Sequence, residues 1–366
     1  MRFLVAAASL AALSGCGLFT DSGVPAAAGG VSPPPVSTGE VFEGPVPRAE
    51  CGAGSLPETG IQGRTRSVED VASGRADLGY SCNLEVIGHE GTRALWQEAW
   101  FEDCAYYGIA IGNGGVGVVD ASNPAKPVRT ATLMTPAMLD PWESLKVASK
   151  RELLAAVGPS LAGPLDFDLY DIAGDCKQPA LIGTFPVDAV GHEGEWAPDG
   201  LTYYGSTFWG PEITAIDVTT TLAPHPIVTL NAQSHGLSIS DDGNRMYLAQ
   251  SSGSNGLRIL DSTVIQSRDP TAASAVEPVE VGSVYWEDGA VAQMTIPVVI
   301  QGKPYVIFID EGGGGSPQLP GMARIIDISD EAHPKVISKL KDEIDMADAA
   351  EVRATDGGGS GFTYQG

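Results

Sequence analysis

Positive charge is scarce in this chain. Of 366 residues, 21 are Lys or Arg and 46 are Asp or Glu, giving a net charge of −25. No stretch gathers the basic residues, so a nucleic-acid backbone or an anionic lipid surface would repel the protein, and no nucleic-acid partner is expected. Helical periodicity of useful length is absent from residues 81–340, which points away from helical folds. No serine sits in a G-x-S-x-G elbow and no H-E-x-x-H occurs, so two common hydrolase signatures are missing. GNGGVG at 112–117 spells G-x-G-x-x-G, but the residues that follow, Val116–Asp120, read as a strand. A dinucleotide site needs a helix there, because its N-terminus binds the pyrophosphate. EGGGGS at 311–316 lacks the Lys-Ser/Thr ending of a phosphate-binding loop. No cofactor is expected.

The N-terminus has a different character. Arg2 supplies a positive start, Phe3–Leu13 is almost wholly apolar, and Leu13-Ser14-Gly15-Cys16 follows. The segment is too short to span a bilayer and has the layout of a secretory signal. Its ending resembles the bacterial lipobox. That resemblance implies a signal peptide over 1–15, lipid on Cys16, and an extracytoplasmic, envelope-anchored domain. Residues 16–50, with Pro33-Pro34-Pro35 at the centre, are rich in small residues and proline. They have little apolar surface to bury and read as a tether. Residues 51–82 form an N-terminal extension, 83–340 the folded repeat region, and 341–366 an acidic, Gly-rich tail expected to be irregular.

Within the repeat region one grammar recurs. VVDASNPAKPV at 118–128 has counterparts in LYDIAGDCKQPALIG (169–183), AIDVTTTLAPHPIV (215–228) and IIDISDEAHPKVIS (325–338), with a degenerate RILDSTVI from Arg258. Each is a β-rich run, an Asp, a polar turn, a Pro (lost in the degenerate copy) and a second β-rich run. The landmarks Asp120, Asp171, Asp217, Asp261 and Asp327 are 51, 46, 44 and 66 residues apart. A carboxylate at the strand end can accept backbone N–H groups of the turn. The proline cannot donate to a ladder and belongs at the start of an outer strand. A second hairpin lies between landmarks, turning at Asp199-Gly200 and Asp242-Gly243. Four strands per unit at this period define an all-β fold, a β-propeller of four-stranded blades. Five blades are recognisable, and NLEVI (83–87) is expected as a lone strand of an incomplete closing blade.

This grammar resembles the LVIVD-repeat family of bacterial β-propellers, whose repeats carry a Val-Asp-Val-Ser-Asp-Pro-like strand and turn. Gly117–Pro127 and Arg324–Pro334 match it best, and Arg258–Ile265 departs most; the likeness spans about 85–340, roughly 70% of the chain. It implies a fold and a surface address. No activity or catalytic residue follows from it.

With Cys16 lipidated, four cysteines remain: Cys51, Cys82, Cys104 and Cys176. Their spacing fits no zinc pattern, and an even number in an exported protein implies two disulfides with three possible connectivities. Placing Cys82 on the closing blade beside the first hairpin turn of blade one predicts Cys82–Cys104, which leaves Cys51–Cys176.

Two histidines have matched positions. His192 and His235 each lie seven residues before the Asp of an Asp-Gly turn, so they open the innermost strands of neighbouring blades at the channel mouth. With Glu193 they form a candidate site for a metal or an anionic ligand; alternatively they cap inner strands and bond to nearby loops. Trp142 and Met294 fall at or near the corresponding positions of blades two and five, and His89 is out of register. His225 and His333 precede turn prolines and read as structural. The aromatic runs at 96–101, 202–209 and 284–286 either pack between blades or line a binding surface. The reading that follows is a non-enzymatic, membrane-anchored propeller offering a face to a protein or glycan. The alternative is a metal-binding propeller or metal-assisted hydrolase with its site near His192 and His235.

Overall fold

Every landmark aspartate turns its side chain onto its own turn. Oδ1 of Asp120, Asp171, Asp217, Asp261 and Asp327 accepts the backbone N–H two residues on, at 2.9, 2.8, 2.7, 2.8 and 2.8 Å. The degenerate copy at Asp261 keeps this bond although it lacks the turn proline. Each turn thus satisfies a backbone donor that a strand end would otherwise leave open.

These turns sit in a computed structural model that describes residues 47–345 apart from 59, 64–66, 92–94, 110–113, 159–165, 188–190, 208–211, 252–254, 270, 272–278, 290 and 312–320. Cys16, the signal segment, nearly all of the tether and the tail from 346 lie outside the described residues. Among the described residues, no helix is long and apolar enough to cross a membrane.

Among the described residues, twenty strands form five four-stranded sheets, each built from consecutive antiparallel strands. Blade one holds β1 (Leu95–Phe101), β2 (Cys104–Gly108), β3 (Val116–Asp120) and β4 (Val128–Leu133). Blade two holds β5 (Lys146–Ala148), β6 (Leu153–Gly158), β7 (Asp166–Asp171) and β8 (Ala180–Pro186). Blade three holds β9 (Glu193–Trp196), β10 (Thr202–Ser206), β11 (Glu212–Asp217) and β12 (His225–Asn231). Blade four holds β13 (Leu237–Ile239), β14 (Arg245–Gln250), β15 (Asn255–Asp261) and β16 (Val279–Trp286). Blade five holds β17 (Ala292–Ile300), β18 (Lys303–Asp310), β19 (Ala323–Asp327) and β20 (Lys335–Leu340). In all five, the third and fourth strands shift register between the second and first residue before the landmark Asp. A bulge at that point increases local twist, which a propeller blade requires.

First strands of successive blades touch in the series β1, β5, β9, β13, β17 and make the inner wall. The core lies between blades. Separate apolar clusters fill the junctions one–two, two–three, three–four and four–five. Aromatic residues serve these junctions: Trp196 meets Phe167 and Tyr203 edge-on, those two rings are tilted against each other, and Trp286 meets Phe308 at 4.7 Å. That answers the aromatic alternative in favour of packing for these residues, while Trp100 and Tyr285 remain exposed.

Two expectations need correction. Asn83–Ile87 belongs to no sheet, and Leu84, Val86 and Ile87 are exposed. Asn83 instead takes a left-handed conformation and bonds the Glu50 carbonyl and the Gly52 N–H. The disulfides are Cys51–Cys82 and Cys104–Cys176, not Cys82–Cys104 and Cys51–Cys176. The reason is the same. With no closing strand to carry it, Cys82 stays in the extension, where reciprocal backbone bonds between Leu56 and Ser81 bring it to Cys51. Cys104, buried in the junction of blades one and two, then meets Cys176 in the turn after Asp171. The segment ahead of blade one makes contacts in two places: Gln62 and Arg48 bind Glu343 beyond blade five, and Glu90 binds Tyr107 and Arg129 of blade one.

Candidate functional site

The strand registers make three inner-wall positions equivalent. Ser206 pairs with Glu193 in blade three, which puts His192 just outside β9; in blade four His235 lies just outside β13, its N–H bonded to Ala249. In blade two, Leu153 opposes Asp171 as Thr202 opposes Asp217, and the same count puts Glu143 just outside β5. Consecutive blades therefore deliver Glu143, His192 and His235 to one end of the inner wall. A parallel bridge between Glu143 and Glu193 and a Glu143 N–H bond to the His192 carbonyl (2.9 Å) lock the first two strand ends together.

All three side chains are buried. His192 Nε2 and His235 Nε2 are 3.0 Å apart, and each lies 3.4 Å from the same Glu143 oxygen, Oε2. Trp142, in a left-handed backbone conformation, packs its ring 5.0 Å from that of His192. His235 Nδ1 lies 3.1 Å from the Ala292 carbonyl and 4.0 Å from the Glu311 carboxylate. Burial opposes the charge on Glu143, but hydrogen bonds and charge from His192 and His235 outweigh it and hold the carboxyl well below the usual range. Below the trio, Lys146 and Glu193 pair at 2.9 Å. Burial lowers the Lys146 pKa, but the nearby Glu193 and Glu195 outweigh it and raise it, while burial pushes the Glu193 carboxyl well above the usual range.

The structure brings His192 and His235 together as the sequence pattern anticipated. Glu193, expected as their acidic partner, instead turns to Lys146, since neighbouring strand residues point to opposite faces. Glu143 is the residue that sequence reasoning missed. Blade two turns through Ser149-Lys150-Arg151-Glu152, without the Asp-Gly marker, so the sequence pattern points only at or near Trp142, the residue beside Glu143. Counting seven back from Lys150, which occupies the place of Asp199, reaches Glu143. In blade five the equivalent place is the irregularity between Ala292 and Met294, opposite Asp310. His89 is exposed and outside the sheets, His225 is exposed at the start of β12, and exposed His333 bonds Asp330 at 2.9 Å. Val116–Asp120 is β3, and no helix follows the GNGGVG glycines; residues 312–320 of the later glycine run lie outside the described residues.

At the other end of the inner strands a cavity of about 480 Å³ is lined by residues that include Trp196, Pro198, Ser238, Met294 and Pro297.

Residues 102–135 match the LVIVD repeat. No curated protein matches the chain. Among solved structures, similarity extends to a protein from Lactobacillus plantarum at 15% identity, covering 69% of this chain and 72% of that one with a TM-score of 0.49. A periplasmic gluconolactonase of Pseudomonas aeruginosa is similar at 13% identity, with 65% and 67% covered and a TM-score of 0.47. Kuenenia stuttgartiensis hydrazine synthase is similar at 16% identity, with 68% and 67% covered and a TM-score of 0.47. The chain spans about two thirds to three quarters of the length of these structures. The matched repeat lies in and beside blade one, and the same Asp-turn grammar recurs in the four-stranded sheet of each of the five described blades, an arrangement consistent with an LVIVD-repeat β-propeller.

Proposed function

We propose that this propeller is an extracytoplasmic binding module, anchored to a bacterial membrane by lipid on Cys16, that engages a protein or glycan through the end of the inner wall carrying Glu143, His192 and His235. One observation carries the reading: three consecutive inner strands place buried polar side chains at equivalent positions. Burying ionisable groups costs free energy that apolar residues would avoid, so three of them converging indicates a binding role. Two disulfides and the lipobox-like Leu13–Cys16 support the address. No observation favours hydrolysis over binding, and no catalytic role is assigned.

Cross-linking on intact cells followed by mass spectrometry tests the reading. A partner captured by the wild-type chain and lost on Trp142→Ala plus Glu311→Gln, both beside the cluster, supports it. Capture that these substitutions leave unchanged, or that maps to the outer strands, would refute it.

A further inference from the structure

We propose that Glu143, His192 and His235 form a binding site for a divalent first-row transition ion, held by one carboxylate oxygen and two imidazole Nε2 atoms, with its remaining coordination positions open to a ligand oxygen or nitrogen. This rests on the reading that this end of the inner wall is the ligand end, and it names the chemistry there.

The protonation pattern is the first argument. A carbonyl only accepts, so the 3.1 Å contact to Ala292 places the proton of a neutral His235 on Nδ1 and makes Nε2 the ring's lone-pair nitrogen. This is the arrangement in which a backbone carbonyl orients a ligating imidazole. The His235 lone pair and Glu143 Oε2 then face each other and His192 Nε2 across a small triangle. The two edges at 3.4 Å are longer than good N–H···O bonds, which lie near 2.9 Å.

Dimensions are the second argument. Around an ion with bonds of about 2.0–2.1 Å, tetrahedral donors stand about 3.3 Å apart and adjacent octahedral donors about 2.9 Å apart. The observed edges are 3.0, 3.4 and 3.4 Å. An ion about 2.05 Å from each of the three atoms would sit about 0.8 Å out of their plane, leaving one side for exogenous ligands. Two imidazoles with one carboxylate suit Zn²⁺ or Fe²⁺; Mg²⁺ and Ca²⁺ prefer all-oxygen shells. The donors also come from three blades, so the ion would tie blades two, three and four together. Glu193 is held by Lys146 and supplies no ligand.

The test uses the full chain, stripped with a chelator and dialysed. Zn²⁺ binding is followed by calorimetry and by elemental analysis, and Co²⁺ binding by its visible absorption. We expect about one equivalent of Zn²⁺, a Co²⁺ spectrum with nitrogen ligation, and affinity weakened at least about 100-fold in His192→Gln and His235→Gln, with folding checked by circular dichroism. A wild-type chain that binds neither ion overturns the inference whether or not the variants fold. So does Zn²⁺ binding that survives in a folded His192→Gln/His235→Gln double variant. The two proposals fail separately. Partner capture that persists without metal binding leaves the binding-module reading standing, whereas metal binding with no partner lost at this end removes that reading and leaves the metal site.

Discussion

Removing the Cys104–Cys176 disulfide should destabilise the propeller far more than removing Cys51–Cys82. The bond joins the first hairpin of blade one to the Asp turn of blade two and closes a loop of 72 residues. Closing such a loop in the unfolded chain corresponds to about 4.4 kcal/mol at 25 °C by chain entropy, against about 3.7 kcal/mol for the 31-residue loop of Cys51–Cys82. These figures are similar, but their consequences differ. Cys104 is fully buried among Tyr106, Val118 and Tyr170, so its loop belongs to the cooperative core of blades one and two. Cys51 and Cys82 are tied within the extension and enter no interblade cluster. For Cys104→Ala/Cys176→Ala we expect a loss of about 4 kcal/mol, or about 7 °C in the melting midpoint of a domain near 290 residues. For Cys51→Ala/Cys82→Ala we expect a shift of the main transition below about 1 kcal/mol. Urea unfolding followed by tryptophan fluorescence, with calorimetry alongside, measures both. Equal losses from the two double variants, or a loss below about 1 kcal/mol from the first, would refute the reasoning.

Asp217→Ala removes the 2.7 Å acceptor for the Thr219 N–H and should cost about 1 kcal/mol in chemical denaturation; an unchanged midpoint would mean that water replaces the bond at no cost. Asp310 is pushed up to about 6, chiefly by burial and despite the Arg324 guanidinium that pairs with it. The folded state then holds this proton at a higher pH than the unfolded one. Its contribution is full below the ordinary value of 3.8 and is lost as pH rises through about 6. The stability difference between wild type and Asp310→Asn should accordingly shift by about 3 kcal/mol across that window, and a pH-independent difference would contradict it. Cys16→Ser should move the protein from the membrane fraction to the soluble fraction on cell fractionation, and unchanged membrane association would exclude the lipid anchor.

The recurring Asp turns made the blade count legible without coordinates. A carboxylate that caps its own turn and a proline that opens the next strand are local devices, so they show in eleven residues at a time. His192 and His235 were legible for the same reason, because each stands a fixed distance from an Asp-Gly turn. Where the local marker was missing, so was the residue: Lys150-Arg151 hid Glu143. Other outcomes had no local signal. NLEVI alternates like a strand, but a strand exists only against a partner edge, and Asn83 found its bonds in the extension. The disulfide pairing followed from that placement. The choice of Glu143 over Glu193 came from strand pairing across three blades, which turns one carboxylate to the imidazoles and its neighbour to Lys146. Turns and periods are properties of adjacent residues and reside in the sequence; convergence of side chains from separate blades depends on register and twist, and only the tertiary structure sets those.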